Sequence, residues 1–217
     1  VQGSNDVFAL GRSPASCNPY QGRAREGADT LTLRRVATAA TAAEANRLQI
    51  YASRLRSGSS QLMFADGNAP GAIDENHEVH DLMVRTYYVA RDSVGQRDYP
   101  ALRMKTLTRS GAGALFAEDE VMSGVEDLQV QFGISADGIN DGRATRYVDP
   151  DAASAGSSQV VSVRLWLRVR ADLPEPFFED DRTYRYANVT YTPAGPERHF
   201  RRVLMTRTVT LRNARVT

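Results

Sequence analysis

Lysine, cysteine and long apolar runs are what this sequence has least of. Lys105 is the only lysine, so arginine carries almost all of the basic charge. A bias toward GC-rich codons accounts for that more simply than function does, although arginine favours bidentate contacts with carboxylates and phosphates. Cys17 is the only cysteine. A lone thiol excludes an intrachain disulfide and any zinc site of familiar spacing. Cys17 is therefore read as a small buried or semi-buried side chain, with an intermolecular bridge as the minor alternative. No apolar run approaches the roughly 20 residues that a membrane-crossing helix requires. Neither a signal peptide nor an initiator methionine stands at Val1. The expectation is a fragment whose preceding segment held targeting or anchoring information. A net charge of +1 excludes capture of polyanions by bulk charge.

What is present describes an ordinary folded protein. Hydrophobic residues make up 41% and charged residues 24%, which is a globular profile and not a disordered one. A chain of 217 residues suits one large all-β domain or two small ones, and it can bury a core without covalent staples. Linkers, internal repeats and low-complexity tracts are not evident.

Alternation of apolar and polar residues predicts strands. Val160 to Arg170 is the clearest case. Val161, Val163, Leu165, Leu167 and Val169 fall on one face, and Ser162, Arg164, Trp166, Arg168 and Arg170 on the other. In the stretch ending at Ile134, Leu128, Val130, Phe132 and Ile134 form an inward stripe, with Gln129 and Gln131 outward. Further strands are expected at Thr30–Val36, Leu48–Ala52, Gln61–Ala65, Leu82–Ala90, Ala101–Thr108, Tyr184–Tyr191 and Arg202–Leu211. Residues 1–26 read as loop. Residues 37–47 read as a short helix or an ordered loop, and Ala117–Met122 as a helical turn. The expectation is eight or nine strands in antiparallel sheets with one wet face, and little helix.

The search for chemistry excludes more than it finds. No Gly-x-Ser-x-Gly elbow and no phosphate-binding lysine loop occurs, and Gly111-Ala112-Gly113 reads as a turn. No acidic pair singles itself out as a glycosidase dyad. His77 and His80 lie among Asp74, Glu75, Glu78 and Asp81, which reads as a solvated acidic loop before it reads as a metal site. Asp137 to Asp151 is rich in oxygen ligands. If Asp137 opens a calcium loop, however, position 3 is Ile139, so the EF-hand pattern fails and a turn is the first reading, a weak calcium site the second. No catalytic, cofactor-binding or metal-binding residue is therefore assigned, no cofactor is expected, and the protein is not expected to be an enzyme. Arg182, Arg185, Arg198, Arg201, Arg202, Arg207, Arg212 and Arg215 stand near the C-terminus against Glu197. With Tyr184, Tyr186 and Tyr191 they could follow a phosphate backbone, but Asp172, Glu175, Glu179, Asp180 and Asp181 offer internal partners.

Three stretches carry a family resemblance. They are Gly124-Val125-Glu126-Asp127-Leu128-Gln129-Val130, then Val160-Val161-Ser162-Val163-Arg164, and a closing Leu211-Arg212-Asn213. Taken in order with the other strands, from about Gly27 to Asn213, they resemble PilW, a minor pilin of the bacterial type IV pilus. The resemblance implies a mainly β (α+β), pilin- or pseudopilin-like head of antiparallel sheets. It implies one domain over residues 1–217, with 1–26 following a missing N-terminal helix. It also implies a leader cleaved by a prepilin peptidase, an inner-membrane anchor and a periplasmic head. Its partners would be other minor pilins and a large adhesin-like protein at the pilus tip, in a complex that primes assembly, with roles in adhesion and twitching motility. Paired cysteines near the start are a feature of such proteins that Cys17 alone does not reproduce. Within this frame the Arg164, Trp166, Arg168 face is a candidate contact surface, unless the chain covers it itself. A pilus subunit that captures DNA through the C-terminal arginines is the alternative; a hydrolase or carbohydrate-binding β domain would need a concave site.

Overall fold

The computed structural model describes residues 1–10, 15–53, 62–110, 115–135, 143–152 and 159–211. Among them are thirteen strands and three short 3-10 turns, and no helix longer than five residues. The chain is mainly β and its sheets are antiparallel, as expected.

The first sheet is built around one long strand. It comprises β1 (Gln2–Ser4), β2 (Thr30–Ala40), β3 (Ala45–Ser53), β4 (Leu62–Asp66), β5 (His77–Ala90), β6 (Ala101–Arg109) and β7 (Leu115–Ser123). β5 pairs with β2 along one edge. Its other edge is shared, with β3 taking residues 77–81 and β6 taking residues 85–90. The sheet therefore forks, and β4 and β7 close its two branches. The second sheet runs β13 (Arg202–Thr210), β10 (Gln159–Arg170), β8 (Val125–Ser135) and β9 (Arg146–Val148). A hairpin of β11 (Tyr184–Tyr186) and β12 (Val189–Tyr191) stands apart from both.

The core lies between the two large sheets. Leu128, Val130, Phe132 and Ile134 of β8 do face inward, against Leu31 of β2, Val89 of β5 and Leu102 of β6. Each such side chain, fully buried, contributes about 1.5–3 kcal/mol. A β-bulge between Val160 and Ser162 shifts the alternation at the start of β10, so Val160 joins Val163 in packing on this core.

Several sequence expectations are corrected by long-range pairing. Residues 37–47 form neither helix nor one ordered loop. β2 continues to Ala40 opposite His80, and β3 begins at Ala45, because ladder hydrogen bonds outweigh the helix preference of alanine. Ala117–Met122 is not a helical turn but part of β7. Its Glu118 and Glu120 stand opposite Lys105 and Arg103 of β6. Both cations are buried, with contacts of 3.3 Å from Lys105 to Glu118 and 3.2 Å from Arg103 to Glu120. The acidic histidine stretch is strand from His77 onward. Gln129 is wholly buried and not outward, and its Nε2 donates to the Gly27 carbonyl at 2.7 Å.

The N-terminal residues are mostly irregular, yet they are held in place. The Arg103 guanidinium stacks on the Tyr20 ring at 3.7 Å. Lys105 Nζ donates to the Ser16 carbonyl at 3.0 Å. Asp29 joins three segments: its carboxylate accepts from the backbone N–H of Asp6 at 2.8 Å and of Val130 at 2.7 Å, and its own N–H donates to Leu128 O.

Candidate interaction surface

The stretch Gly124–Val130 proves to be a structural joint. Gly124 has φ +78°, and a Cβ there would lie 2.7 Å from the Arg170 carbonyl oxygen. Only glycine fits such a backbone without strain. Val125 enters the core and Glu126 turns to the opposite face, where it is 1% exposed. There Glu126 Oε2 accepts from Arg168 Nε at 3.0 Å and Arg202 Nε at 2.8 Å, while Oε1 accepts from Arg202 Nη2 at 3.0 Å. One carboxylate on β8 thus clamps β10 and β13 together. Burial pushes the Glu126 carboxyl up, but the hydrogen bonds and charges of Arg202 and Arg168 outweigh it and hold it below its ordinary value.

The β11–β12 hairpin closes over this clamp. Tyr186 donates its hydroxyl to Asp127 at 2.6 Å and accepts from Arg168 Nη1 at 2.6 Å. The Arg168 guanidinium also lies over the Tyr191 ring at 3.6 Å. Trp166 packs with Tyr184 and Tyr186. The candidate contact face at Arg164, Trp166 and Arg168 is therefore covered by the chain itself, with the hairpin over Trp166 and Arg168. Trp166 and Arg168 are buried, and Arg164 stacks on Tyr147 at 3.6 Å.

The C-terminal arginines mostly face carboxylates. Arg202 pairs with Glu126 and Glu197, Arg182 with Asp180, Arg198 with Glu179 and Asp181, and Arg201 with Glu175. Arg185 and Arg207 are exposed; Arg212 and Arg215 lie outside the described residues. Internal pairing therefore claims half of the residues that a DNA-binding face would use.

The remaining candidates are dispersed. His77 and His80 are three apart on a strand and so point to opposite faces. His77 contacts Asp74 at 2.8 Å, and His80 contacts Glu78 at 3.3 Å. Asp149 accepts from Gln131 and Asp151 from the Asn5 backbone, while residues 137–142 lie outside the described set. The Gly111-Ala112-Gly113 stretch lies outside it too. Among the described residues no group of three or more His, Cys, Asp and Glu is placed to hold a metal ion. Cys17 is buried and unpaired, as its sequence context suggests, and burial pushes its thiol up.

A different surface is open. β8 is the strand of the second sheet that packs on β2, β5 and β6. β10 and β13 extend past that contact. Their core-side residues form a mostly apolar stripe: Leu165, Leu167 and Val169 are half-buried, and Val203, Met205 and Val209 on β13 are exposed by 61%, 52% and 48%, with the exposed Arg207 among them opposite Leu165. Large apolar side chains grouped in this way mark a contact site more than a solvated face. The alternation in Arg202–Leu211 identified the strand, but nothing local showed that its apolar side would be left uncovered.

Comparison with known proteins gives one match. The family model for PilW, described as type IV pilus-assembly protein W, matches residues 86–213, more than half of the chain. The matched segment contains the Glu126 clamp, the hairpin and the open stripe. No curated protein and no solved structure matches the chain.

Proposed function

Because the chain belongs to the PilW family of type IV pilus-assembly proteins, we propose that it is a minor pilin. Its head, residues 1–217, would act as one domain that helps to prime pilus assembly by contact with other minor pilins and with an adhesin-like tip protein. The family is one of assembly proteins and not of enzymes, and it ties the chain to the pilus or the cell envelope. Among the described residues no helix is long and apolar enough to cross a membrane. In this reading the head lies in the periplasm, held by an inner-membrane helix outside the present sequence, until it moves to the pilus tip.

The observation that carries the reading is the apolar stripe on β10 and β13. Two sheets that bury the β8 half of their interface leave β10 and β13 presenting an exposed, largely apolar patch beside a free strand edge. Such a patch suits packing against another subunit, where apolar burial supplies affinity and the polar surround supplies specificity. Met205→Asp with Val209→Asp places two charges in the middle of it. Pull-down by the other minor pilins should be lost in that double variant while its thermal unfolding stays close to wild type, because both side chains are exposed. If the wild-type head captures none of the minor pilins under conditions where they bind one another, the reading fails.

A further inference from the structure

An edge strand presents unpaired N–H and C=O groups, and proteins usually blunt such edges by shortness, charge or proline. The other outer strands follow that rule. β1 and β9 have three residues each and β4 has five. β7 has nine but carries Glu118, Asp119 and Glu120. β13 also has nine residues, contains no proline, and has Arg207 as its only exposed charge.

The backbone direction of β13 follows from its flanks. Leu211 N donates to Val161 O at 2.8 Å, and Ala171 N donates to Arg201 O at 2.8 Å. Odd-numbered residues therefore turn their backbone toward β10, and Leu204, Thr206, Thr208 and Thr210 turn theirs outward. The outward carbonyl of Arg202 is taken by Arg182 Nη2 at 2.9 Å. Beyond it, β13 pairs with β10 alone among the described residues.

We propose that this outer edge pairs, antiparallel, with the same edge of a second copy of the chain, with Thr206 opposite Thr206 on the two-fold axis. The proposal does not depend on the pilus reading. Antiparallel pairing joins outward residues to outward residues, so registers differ by steps of two. Full overlap of Arg202–Thr210 places Leu204 opposite Thr208, Val203 opposite Val209, and Met205 opposite Arg207. A step one way sets Arg207 opposite Arg207, and like charges directly opposite destabilise a ladder. A step the other way shortens the overlap and leaves Thr210 outside the ladder. The favoured register joins the two second sheets into one continuous sheet. The apolar stripes of both copies then lie side by side on one of its faces.

Light scattering over a concentration series tests the association: the mass should double as concentration rises. Thr206→Pro removes an outward N–H without touching the ladder to β10, so it should hold the protein as a monomer. Thr206→Glu, which puts two carboxylates on the axis, should do the same if the proline variant fails to fold. Register is read by disulfide trapping in a Cys17→Ser background. Val203→Cys mixed with Val209→Cys, which leaves Arg207 in place, should crosslink under mild oxidation, because facing residues of that non-hydrogen-bonded pair lie about 4.5 Å apart between Cα atoms. Neither variant alone should do so comparably. Crosslinking of Val209→Cys with Met205→Cys in its place would overturn the register, and a monomer mass at every concentration would overturn the proposal.

Discussion

Two buried carboxylates respond to pH in opposite directions. Asp29 is almost completely buried, and burial pushes its carboxyl up to about 7 against the pull of two backbone N–H donors. A carboxyl raised in the folded state stabilises fully below its unfolded value of 3.8, and that contribution is lost as pH rises toward about 7. Thermal unfolding of the wild type should therefore move to lower temperature across this window. In Asp29→Asn that slope should flatten, even though the amide leaves one donor unmatched and lowers stability throughout. A slope of equal size in both proteins would show that Asp29 is not its source. Glu126 has the reverse sign: its carboxyl is depressed, so its contribution is present above the unfolded value of 4.5 and fades as pH falls below it. Removing its charge with Glu126→Gln takes from Arg168 and Arg202 the carboxylate they share, leaving Asp127 at 3.9 Å from Arg168 and Glu197 at 2.7 Å from Arg202. Breaking a buried pair in this way costs about 3–5 kcal/mol, which urea unfolding at neutral pH would register as a lower midpoint with an unchanged slope.

At the scale of elements, the hairpin is a cap whose seating can be followed through the single tryptophan. Trp166 lies beneath Tyr184 and Tyr186. Tyr186→Ala should expose it, shifting its emission to the red and opening it to iodide quenching. Tyr186→Phe should keep the emission in place while losing about 1–3 kcal/mol, because Asp127 loses its hydroxyl donor. Equal emission shifts in both variants would mean that the ring does not shield Trp166. The hairpin also explains why part of this protein was legible in its sequence and part was not. β8 and β10 announce themselves, because one face packs on a core and the period of 2 shows locally. The other face of β10 looks wet: Arg164, Trp166, Arg168 and Arg170 read as solvated or partner-facing. It is dry because Tyr184, Tyr186 and Tyr191 return over it and Glu126 neutralises it, and neither fact is written near residue 168. Ala117–Met122 reads as a helical turn and not as part of β7 for the same reason. Its acids are inward only because β6 presents Arg103 and Lys105 at the matching period. The family-bearing stretch Gly124–Val130 was legible as a motif, and its physical task, a tight glycine bend followed by an interstrand clamp, became visible only in three dimensions.

For the molecule as a whole, the order of strands along the chain differs from their order in space. β2 pairs with β5, so β3 and β4 are made between two strands that end side by side. Asp29, just before β2, takes one of its hydrogen bonds from Val130 on the other sheet. Sheets dominated by such distant pairings fold in milliseconds to seconds, far more slowly than helical bundles. In a chain that emerges from the ribosome N-terminus first, the partners of β2 and Asp29 do not yet exist while those residues are already in solution. The β2–β5 ladder can form once residues 77–90 have emerged, but the apolar face of that sheet stays uncovered, and Asp29 lacks its bond from Val130, until β8 has been synthesised. That interval is the period in which the first sheet, its inner face still bare, is most open to chaperones and proteases.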